Sequence, residues 1–513
     1  MWYIVNPVMK IFRSGQIKQI DEFTIRNEPI SSTDLMERAV GKLYEWYKEK
    51  FDKSRPVLIL AGPGNNGGDG LAFARMLNVN NYNTQVLYIQ INENTSADWK
   101  INRERLTKQT NVPIIIITDP DQIPDIHGGS VIIDALFGSG LSRPAEGLAA
   151  EVIRRINNSG AVIVSIDMPS GLFGEDNSSN DPENIIRADY TLTFQFPRLS
   201  FMFPENEKYI GKWVVLPIGL LPEIINETET PYYFVQKDNI RPLIRKRSKF
   251  DHKGIYGHAF LIGGSNGKIG AVALGAKAAL RTGAGLVTCQ VPSRGNVIMQ
   301  CVVPEAMIIS DKSEEIITDK VVNDPFSAAG IGPGMGTDME SQAVVYDLIK
   351  SWKKPLVIDA DALNILSQNK SWLEILPANC ILTPHPKEFE RLTGRSSNSY
   401  ERLAKQINFS SRYNCIVVLK GAHTAVSTPD GRVWFNSTGN PGMSTAGSGD
   451  VLTGIILSLL AQGYDPPDAA LTGVYLHGLA GDIAVERLCY ESVIASDIIA
   501  GIGEAFNRIR TVD

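Results

Sequence analysis

The chain has 513 residues, of which 43% are hydrophobic and 21% charged, and its formal net charge is −6. This composition is typical of a folded globular protein with about two to three domains, and the acidic balance argues against a general binder of nucleic acid or anionic membranes. The five cysteines are scattered without a Cys-x-x-Cys pair, which favours a reducing compartment over a disulfide framework or a zinc site.

The first ten residues lack the long apolar core of a secretory signal peptide. No apolar run reaches the ~18 residues that a membrane-spanning helix requires. We therefore expect a cytoplasmic protein. Met9 is an alternative start, because the pattern of the first domain begins there.

The first half of the chain alternates between helical and apolar extended segments. A helical pattern covers residues 17–40 and, from N-caps among residues 31–34, continues to Tyr47. Another helix is predicted over 71–77. Apolar strands are predicted at 57–61, 85–91, 112–118, 130–137, 161–167 and 188–196. Buried strands alternating with helices indicate a parallel, doubly wound sheet, which binds ligands at the carboxyl ends of its strands.

Polar, glycine-rich turns follow three of these strands, at residues 65–69, at Asp134 with 138–141, and at 167–171. The turn from Gly62 to Gly70 contains the G-x-G-x-x-G pattern of dinucleotide-binding folds. However, the next strand does not end in the acidic residue that binds the ribose, so standard nicotinamide-cofactor binding is not indicated. Each turn alone could be purely structural, but three oxygen-rich turns at one sheet edge favour a binding site.

The three turns read Asn-Asn-Gly-Gly-Asp-Gly, Asp-Ala-Leu-Phe-Gly-Ser-Gly and Asp-Met-Pro-Ser-Gly. They resemble the NAD(P)H-hydrate epimerase family over most of residues 11–219. The resemblance implies interconversion of the R and S forms of hydrated NADH and NADPH. It implies a potassium ion held at Asn66, Asp134 and Ser170, all hard oxygen donors. It makes Asp167 the candidate catalytic residue for proton transfer at the epimerised carbon. The implied substrate contacts are Asn65, Asn66, Gly67, Gly68, Asp69, Gly138, Ser139, Gly140, Leu141, Ser142, Arg143, Pro144 and Asp167.

A change of character separates the two halves. Residues 221–245 contain several prolines and no long periodic pattern, which is typical of a connection between domains. We place the boundary near Thr228, giving domains of residues 1–228 and 229–513. The short basic run from Arg241 to Lys249 is interpreted as a solvated linker.

The second half again predicts a doubly wound α/β domain. Strands are predicted at 259–262, 286–291, 328–331, 355–359, 380–383 and 415–420, with a small-residue helix at 270–282. Distinctive loops follow several strands, and the pattern ends in a small-residue loop, 440–450, that leads into an apolar helix. Gly447 and Gly449 allow backbone amides to approach a ligand closely. The start of the helix adds free N–H groups that suit phosphate, and Asp450 is placed there to act as a base or a metal ligand.

Six motifs of this half occur in order: His-Lys-Gly-x-x-Gly, Gly-Pro-Gly, Asp-Ala-Asp-Ala, Thr-Pro-His-Pro-x-Glu, Lys-Gly-Ala-x-Thr and Gly-Ser-Gly-Asp-Val-Leu-Thr-Gly. Together they resemble the ADP-dependent NAD(P)H-hydrate dehydratase family, which has the ribokinase-like fold. The expected architecture is therefore an N-terminal Rossmann-like doubly wound domain followed by a ribokinase-like α/β domain. Ala446 departs from the family pattern, which usually has glycine there, and alanine is tolerated unless that residue needs a positive φ.

The second resemblance implies a site with ADP as co-substrate and magnesium as cofactor. Adenine nucleotide would contact Lys420, Gly421, Ala422, His423, Thr424 and Gly449. The hydrated nicotinamide nucleotide would contact Ala271, Gly334, His385 and Asp450. Asp450 would take the proton of the substrate hydroxyl, which then accepts a phosphoryl group, so that phosphate leaves in place of hydroxide and ADP becomes AMP. We give His423 no catalytic role, and His477 is interpreted as a packing or capping residue.

Three interpretations remain open from the sequence. The first is a bifunctional enzyme with an epimerase in front and a dehydratase behind. The second is a small-molecule kinase with a regulatory front domain, and the third makes the front half a non-catalytic binding or scaffolding module. The expected partners are small molecules, namely hydrated NADH or NADPH and ADP, with no nucleic acid and no membrane, and we expect a homo-oligomer.

Overall fold

The computed structural model describes residues 8–320 and 325–511. The predictions about residues 1–7 lie outside this part of the chain. Two compact units are present, one of residues 10–230 and one of residues 231–513, to which Met9 also belongs. Among the described residues, no helix has both the length and the apolar character needed to cross a bilayer.

The smaller unit contains a seven-stranded sheet and the helices that cover it. The short strand β1 (Met9–Ile11) is not part of this sheet. The bounds that follow it, up to Glu227, are α1 (Ser14–Asn27), α2 (Ser32–Lys50), β2 (Val57–Ala61), α3 (Asn65–Val79), β3 (Thr84–Ile89), α4 (Ala97–Gln109), β4 (Ile114–Ile117), β5 (Val131–Ala135), α5 (Gly147–Asn157), β6 (Val162–Ile166), β7 (Tyr190–Phe194), α6 (Glu207–Ile210), β8 (Lys212–Leu216) and α7 (Pro222–Glu227).

Every strand pair in this sheet is parallel, and the order is β4-β3-β2-β5-β6-β7-β8. Alternate residues of β2 enter different cores. Ile59 packs with residues of α2, α3 and α4, whereas Leu60 packs with residues of α5. The sheet is thus covered on both faces, which confirms the predicted doubly wound domain.

The larger unit has the following bounds: β9 (Tyr232–Val235), α8 (Lys237–Ile240), β10 (His258–Ile262), α9 (Ile269–Thr282), β11 (Leu286–Val291), α10 (Gly295–Val302), β12 (Met307–Ser310), β13 (Ala328–Ile331), α11 (Met339–Ser351), β14 (Leu356–Ile358), α12 (Ala360–Gln368), β15 (Ile381–Leu382), α13 (Pro386–Thr393), α14 (Ser399–Tyr413), β16 (Ile416–Leu419), β17 (Ala425–Ser427), β18 (Val433–Asn436), α15 (Ser448–Ala461), α16 (Pro466–Arg487) and α17 (Ala495–Arg510).

From β9, the sheet of this unit runs in the order β9-β18-β17-β16-β15-β14-β13-β10-β11-β12. Only the pairs of β17 with its two neighbours are antiparallel in this run. Leu261 on β10 packs into a core with α9, α15, α16 and α17, and its neighbour Phe260 packs with α11 and α12 on the opposite face. The expected α/β class of the second half is confirmed.

The structure corrects one local prediction in the first half. Residues 65–70 were assigned to a loop before a helix at Leu71, but α3 begins at Asn65 and includes the glycines. Glycine lowers intrinsic helix propensity. Here tertiary packing requires it, because a Cβ on Gly70 would lie 2.7 Å from the Cβ of Ala135 on β5.

The predicted linker is also more ordered than expected. It contains β9, which pairs with β18. This strand has only four residues, which are too few to show an alternating pattern in the sequence. The basic run is exposed from Arg245 to Lys249, in agreement with its interpretation as solvated, and two of its arginines also bond to helix ends. Arg245 donates from Nη1 to the carbonyl of Gln462 at 2.8 Å, and Arg247 donates from Nη2 to that of Gly283 at 2.6 Å. Both carbonyls belong to the C-caps of helices, α15 and α9, where a positive charge is favoured.

Candidate active sites

The first candidate site lies at the carboxyl ends of β2, β5 and β6. These strands are neighbours in the sheet, and the strand order reverses between β2 and β5. Parallel sheets form a crevice at such a reversal. The three polar turns predicted from the sequence follow these three strands.

Two glycines bring the turns together by allowing close backbone contact. A Cβ on Gly67 would lie 1.8 Å from the carbonyl oxygen of Gly62, so the first turn of α3 packs directly on the end of β2. A Cβ on Gly138 would lie 3.4 Å from the Cβ of Asn66 and 3.3 Å from Oδ2 of Asp167. Asn66, Gly138 and Asp167 therefore border one small volume.

Asp134 is fully buried at the end of β5. Its carboxylate accepts hydrogen bonds from Ser165 Oγ at 2.7 Å, from the Ser170 amide at 2.8 Å and hydroxyl at 2.5 Å, and from the Leu136 amide at 3.4 Å. Burial raises the pKa of Asp134, although these hydrogen bonds oppose the shift. All of these donors are neutral, so the site would gain from a positive charge close to the carboxylate.

Asn66 completes the predicted potassium set. Its side chain is buried, and Nδ2 has no hydrogen-bond partner among the described residues. A half-turn of the amide exchanges nitrogen and oxygen, so this buried position can equally present an oxygen. Asn66, Asp134 and Ser170 thus provide oxygen donors of the kind that a hard cation prefers.

Asp167 is held by contacts to both of its carboxylate oxygens. Oδ1 accepts from Nη2 of Arg198, and Oδ2 accepts from the Ser139 amide at 3.1 Å. Burial alone would raise the pKa of Asp167, but the Arg198 charge and hydrogen bond outweigh it and lower that pKa. Asp167 is therefore ionised at neutral pH. Its φ of 64° lies in the left-handed region, which is uncommon for a residue other than glycine.

Two further carboxyl groups face this ion pair. Burial, followed by the charge of Asp167, raises the pKa of Asp69 well above its ordinary value. Burial also raises the pKa of Asp21 to about 7, with the charge of Arg198 opposing the shift. The neutral Asp69 therefore lies close to the ionised Asp167. In many active sites, two carboxyl groups with different pKa values act in this way, one as proton donor and the other as proton acceptor.

The remaining predicted contacts of the first site differ in their placement. Gly68 and Asp69 lie in the first turns of α3, and Asn65 is exposed at the start of this helix. Gly138 and Ser139 lie against Asp167. The rest of that loop is exposed or half-buried, unlike the buried Asn66, Asp134, Asp167 and Ser170. These residues are Gly140, Leu141, Ser142, Arg143 and Pro144.

The second candidate site lies at the start of α15. Asp450 is the third residue of that helix. Lys420, which follows β16, donates from Nζ to Oδ1 of Asp359 at 3.0 Å, and Thr453 donates from Oγ1 to Oδ2 at 2.6 Å. A Cβ on Gly449 would lie 3.4 Å from the Lys420 Nζ. A cationic side chain, free helical N–H groups and a carboxyl group thus meet at one position, which suits a reacting phosphate.

Asp450 is adapted to exchange a proton near neutral pH. Burial is the main cause, and the negative charges of Asp359 and Asp361 add to it, while Lys420 opposes them; together they raise the pKa of Asp450 to about 6. A general base is most effective when its pKa lies close to the working pH.

The loop before α15 accommodates its unusual alanine. Gly447 has a φ of 87°, and a Cβ there would lie 2.4 Å from the Leu274 side chain, so glycine is required at this residue. Ala446 does not have a positive φ. The substitution of alanine for the usual glycine therefore imposes no backbone strain at that position.

The predicted contacts to the nicotinamide nucleotide come from different loops. A Cβ on Gly334 would lie 3.2 Å from the Cβ of Ala271, so these two residues are adjacent. His385 caps α13, and its Nδ1 accepts from the amides of Lys387 and Glu388 at 3.1 and 3.3 Å. Burial, aided by the charge of Lys420, lowers the pKa of His385, which keeps the imidazole neutral at neutral pH.

The predicted nucleotide loop is closed by Thr424, which donates from Oγ1 to the Gly421 carbonyl at 3.0 Å. Gly421 and Ala422 are exposed. His423 contacts the carbonyl of Asn436 through Nδ1 at 3.0 Å. His477 lies 3.3 Å from Oγ of Ser448, the first residue of α15, and burial lowers its pKa to about 4.

Four residues of these sites were absent from the sequence prediction: Arg198, Asp21, Asp359 and Thr453. Arg198 follows the end of β7, so the rule that identified the other three turns could have found it. Asp359 was part of a quoted loop but received no role. Thr453 likewise belongs to the quoted Gly-Ser-Gly-Asp-Val-Leu-Thr-Gly motif but received no role, whereas Asp21 lies within α1 and carries no local signal.

Comparison with known proteins matches each unit to a family. Residues 32–200 match a family described as YjeF-related protein N-terminus, and residues 259–503 match one described as NAD(P)H-hydrate dehydratase. The structure of the ADP/ATP-dependent NAD(P)H-hydrate dehydratase from Bacillus subtilis, co-crystallised with ATP and Mg²⁺, is 29% identical, covers 54% of this chain and 98% of its own, and has a TM-score of 0.48.

Similarity to curated relatives extends over nearly the whole chain. A bifunctional NAD(P)H-hydrate repair enzyme from Moorella thermoacetica is 34% identical, over 96% of this chain and 95% of its own length. Enzymes with the same description from Thermosynechococcus vestitus and Vibrio cholerae are 33% and 32% identical and cover 92% and 97% of this chain and 93% and 98% of their own. The chain belongs to the family of bifunctional NAD(P)H-hydrate repair enzymes.

Proposed function

We propose that this chain epimerises the R and S forms of hydrated NADH and NADPH in its first unit and dehydrates the S form in its second, converting ADP to AMP and phosphate. Membership of the family supports both activities. The observation that carries the proposal for the second unit is the position of Asp450 in the first turn of α15, directly after Gly449, whose backbone lies close to the Lys420 ammonium.

In the dehydratase site, Asp450 accepts the proton of the substrate hydroxyl. The hydroxyl oxygen forms a bond to the β-phosphorus of ADP, and AMP leaves. The lone pair of the ring nitrogen then forms a double bond to the carbon that carried the hydroxyl, and the bond from that carbon to the phosphate oxygen breaks, so that phosphate leaves. Loss of a proton from the next ring carbon forms the carbon–carbon double bond of the reduced ring and returns the electron pair to nitrogen. Lys420 and the N–H groups of Gly449 and its neighbours stabilise the charge on the transferring group.

The nucleotide would lie along Lys420, Gly421, Ala422, His423, Thr424 and Gly449, and the hydrated ring along Ala271, Gly334, His385 and Asp450. Because His385 is neutral, it suits a neutral substrate group. The described residues contain no cluster of three acidic, histidine or cysteine side chains that could hold a metal. Magnesium would bind with the phosphates of the nucleotide, as it commonly does, and would offset their charge.

In the epimerase site, Asp167 would accept a proton at the epimerised carbon, because its ion pair with Arg198 keeps it ionised. The raised pKa of Asp69 makes it the matching donor. Potassium would be held by Asn66, Asp134 and Ser170. Ser170 lies directly against the buried Asp134 carboxylate, whose hydrogen-bond donors are all neutral. Its charge would keep Asp134 ionised.

Two further proposals rest on the sequence. We propose that the protein acts in the cytoplasm, since its cysteines lack a disulfide pattern. We also propose that it forms a homo-oligomer, which analytical ultracentrifugation of the full chain would test.

The decisive experiment mixes the full chain with hydrated NADH and ADP. Absorbance of reduced nicotinamide should recover, and free phosphate and AMP should form in equal amounts. The Asp450→Asn variant should lose about 10²–10⁴-fold in rate while still binding ADP. Accumulation of a stable phosphorylated product would instead support the small-molecule kinase, and unchanged turnover by Asp450→Asn would refute the role of Asp450.

A further inference from the structure

Arg198 is an unusual residue because it is a buried arginine with unused donors. Its side chain is 2% exposed, and it follows β7 at the same edge of the sheet as the epimerase site. Nη2 donates to Asp167, but Nε and Nη1 have no hydrogen-bond partner in the part of the chain that the structure describes. Burying such donors without acceptors costs free energy, so a native protein seldom leaves them unused.

The charge around Arg198 indicates which kind of acceptor would satisfy it. The guanidinium is already paired with the ionised Asp167, so the pair has no net charge. The other acidic groups facing it, Asp21 and Asp69, both have raised pKa values. Such a site favours a neutral oxygen acceptor over a phosphate, whereas the exposed start of α3 is the natural place for the substrate diphosphate.

We propose that Arg198 is a substrate-binding residue of the epimerase site, which donates its free N–H groups to the carboxamide oxygen of the hydrated nicotinamide ring. The inference rests on the proposed epimerase function. The ring has two oxygen-bearing substituents, a hydroxyl and a carboxamide. If the substrate hydroxyl contacts Asp167, the carboxamide oxygen is the remaining acceptor for Nε and Nη1 of Arg198. Arg198 thus fixes the ring and Asp167 relative to each other.

The rigidity of Asp167 supports this positioning role. Arg198 and the Ser139 amide occupy one carboxylate oxygen each, so the plane of the carboxylate is fixed from two sides. A planar guanidinium can contact a carboxylate and an amide oxygen at once, whereas a lysine ammonium in its place could retain the charge but not both directed contacts.

The test uses the full chain with the variants Arg198→Lys and Arg198→Gln. Epimerisation is followed by chromatography from pure R-form hydrated NADH, and dehydration of the S form is followed by absorbance in the same preparations. The exposed Arg187, paired with Glu183 on the surface, provides the matched control Arg187→Gln. Near-ultraviolet circular dichroism checks that each variant is folded.

We expect Arg198→Gln to lose about 10²-fold in kcat/KM for epimerisation, with dehydration and Arg187→Gln unchanged. Arg198→Lys should recover part of kcat, through the retained charge, but keep a raised KM. A second substrate isolates the proposed contact. It is the hydrate of reduced thionicotinamide adenine dinucleotide, in which a sulfur atom, a weak acceptor, replaces the carboxamide oxygen. Replacing oxygen with sulfur should raise KM for the parent enzyme and have little further effect on Arg198→Lys.

Three outcomes would overturn the inference. These are an Arg198→Gln variant with parental kcat and KM, an Arg198→Lys variant with parental KM, and an equal penalty for the sulfur substrate in parent and Arg198→Lys. Failure of the epimerase function itself is distinguishable, because the parent chain would then leave the epimer ratio at its uncatalysed drift. If Arg198→Gln does not fold, the comparison of parent and Arg198→Lys with both substrates decides.

Discussion

At the scale of single residues, the two sites use carboxyl groups in opposite ways. Asp450 is half-buried near other negative charges, and its partial burial, together with those charges, raises its pKa to about 6. Asp167 is more deeply buried, which alone would raise its pKa, but the Arg198 cation and its hydrogen bond lower that pKa. The same side chain type is thus poised for proton exchange in one unit and held ionised in the other, and the nearest charge makes the difference.

Asp450 leads to a prediction about pH. As a base it works only when deprotonated, so kcat/KM for dehydration should rise with pH through about 6 and level off above it. A profile of kcat/KM from pH 4.5 to 8.5 checks this. If kcat/KM instead rises with an apparent pKa near 4, the ordinary aspartate value, the surroundings of Asp450 do not raise its pKa.

The same shift predicts an effect on stability. Because the pKa of Asp450 is raised on folding, the folded chain binds its proton more tightly than the unfolded chain does. The contribution of Asp450 to the free energy of unfolding therefore falls as pH rises from about 4 to about 6, and it stays low above that range. Asp450→Asn should then stabilise the second unit at pH 7 by an amount on the order of 1–3 kcal/mol. Denaturant unfolding at pH 7 and pH 4 measures it, and the gain should be largely absent at pH 4.

Asp134 provides a test of the potassium site. Asp134→Asn retains the size of the side chain but removes the negative charge, so epimerisation should become slower and lose its dependence on added potassium. Rates in potassium chloride are compared with rates in choline chloride at equal ionic strength. Ser165→Ala is the matched control, because it removes one donor to Asp134 and leaves the carboxylate in place. Parental activity that is the same in both salts would contradict a potassium site.

At the scale of elements, each site depends on where a helix begins. The first turn of α3 packs on β2 through Gly67, and α15 begins after Gly447 in the left-handed conformation. The opposite end of α15 is also anchored, since Arg245 donates to the carbonyls of Gln462 and Gly463. Basic side chains at this end complement the helix dipole.

Arg245→Ala should therefore destabilise the second unit by about 0.3–1 kcal/mol, the usual range for a charge at a helix terminus. Denaturant unfolding of the full chain, followed by fluorescence, measures the change. Lys249 lies in the same run and is exposed like Arg245, but it has no hydrogen bond to a carbonyl in the described structure, so Lys249→Ala should have no effect. Equal effects of the two substitutions would show that the hydrogen bonds of Arg245 do not stabilise this end of α15.

At the scale of the whole molecule, the two units each have their own sheet and their own cores. The boundary suggested from the sequence was near Thr228, and the division by contacts lies after Thr230. Thr230 matters to the first unit, because its Oγ1 donates to the carbonyl of Ile11 at 2.7 Å. Lys10 further donates to the carbonyls of Ile225, Asn226 and Thr228 at 2.8–2.9 Å.

We predict that residues 1–230 fold alone and interconvert the two epimers without any nucleotide, because a unit with its own core can fold independently. A fragment ending at residue 228 should be less stable, since it lacks the contact of Thr230. Thermal unfolding compares the fragments, and chromatography follows the epimer ratio. A folded fragment of residues 1–230 that leaves the ratio at its uncatalysed drift would favour the binding-module interpretation of the first unit.

The sequence alone determined the features that depend on neighbouring residues. Apolar strands alternating with helices predicted two α/β units, because burial on both sheet faces requires continuous apolar runs. The glycines before Asp450 predicted a phosphate loop, because the required backbone freedom belongs to those residues themselves. The polar turns after β2, β5 and β6 followed from the rule that parallel strands end at one edge.

Only the tertiary structure decided which charges meet. Arg198 pairs with Asp167 from 31 residues away, and Thr453 reaches Asp359 across 94 residues. No periodicity links such positions, because their contact results from the order of strands in the sheet. The protonation state of each carboxyl group then depends on burial and on its nearest charge, both of which exist only after folding.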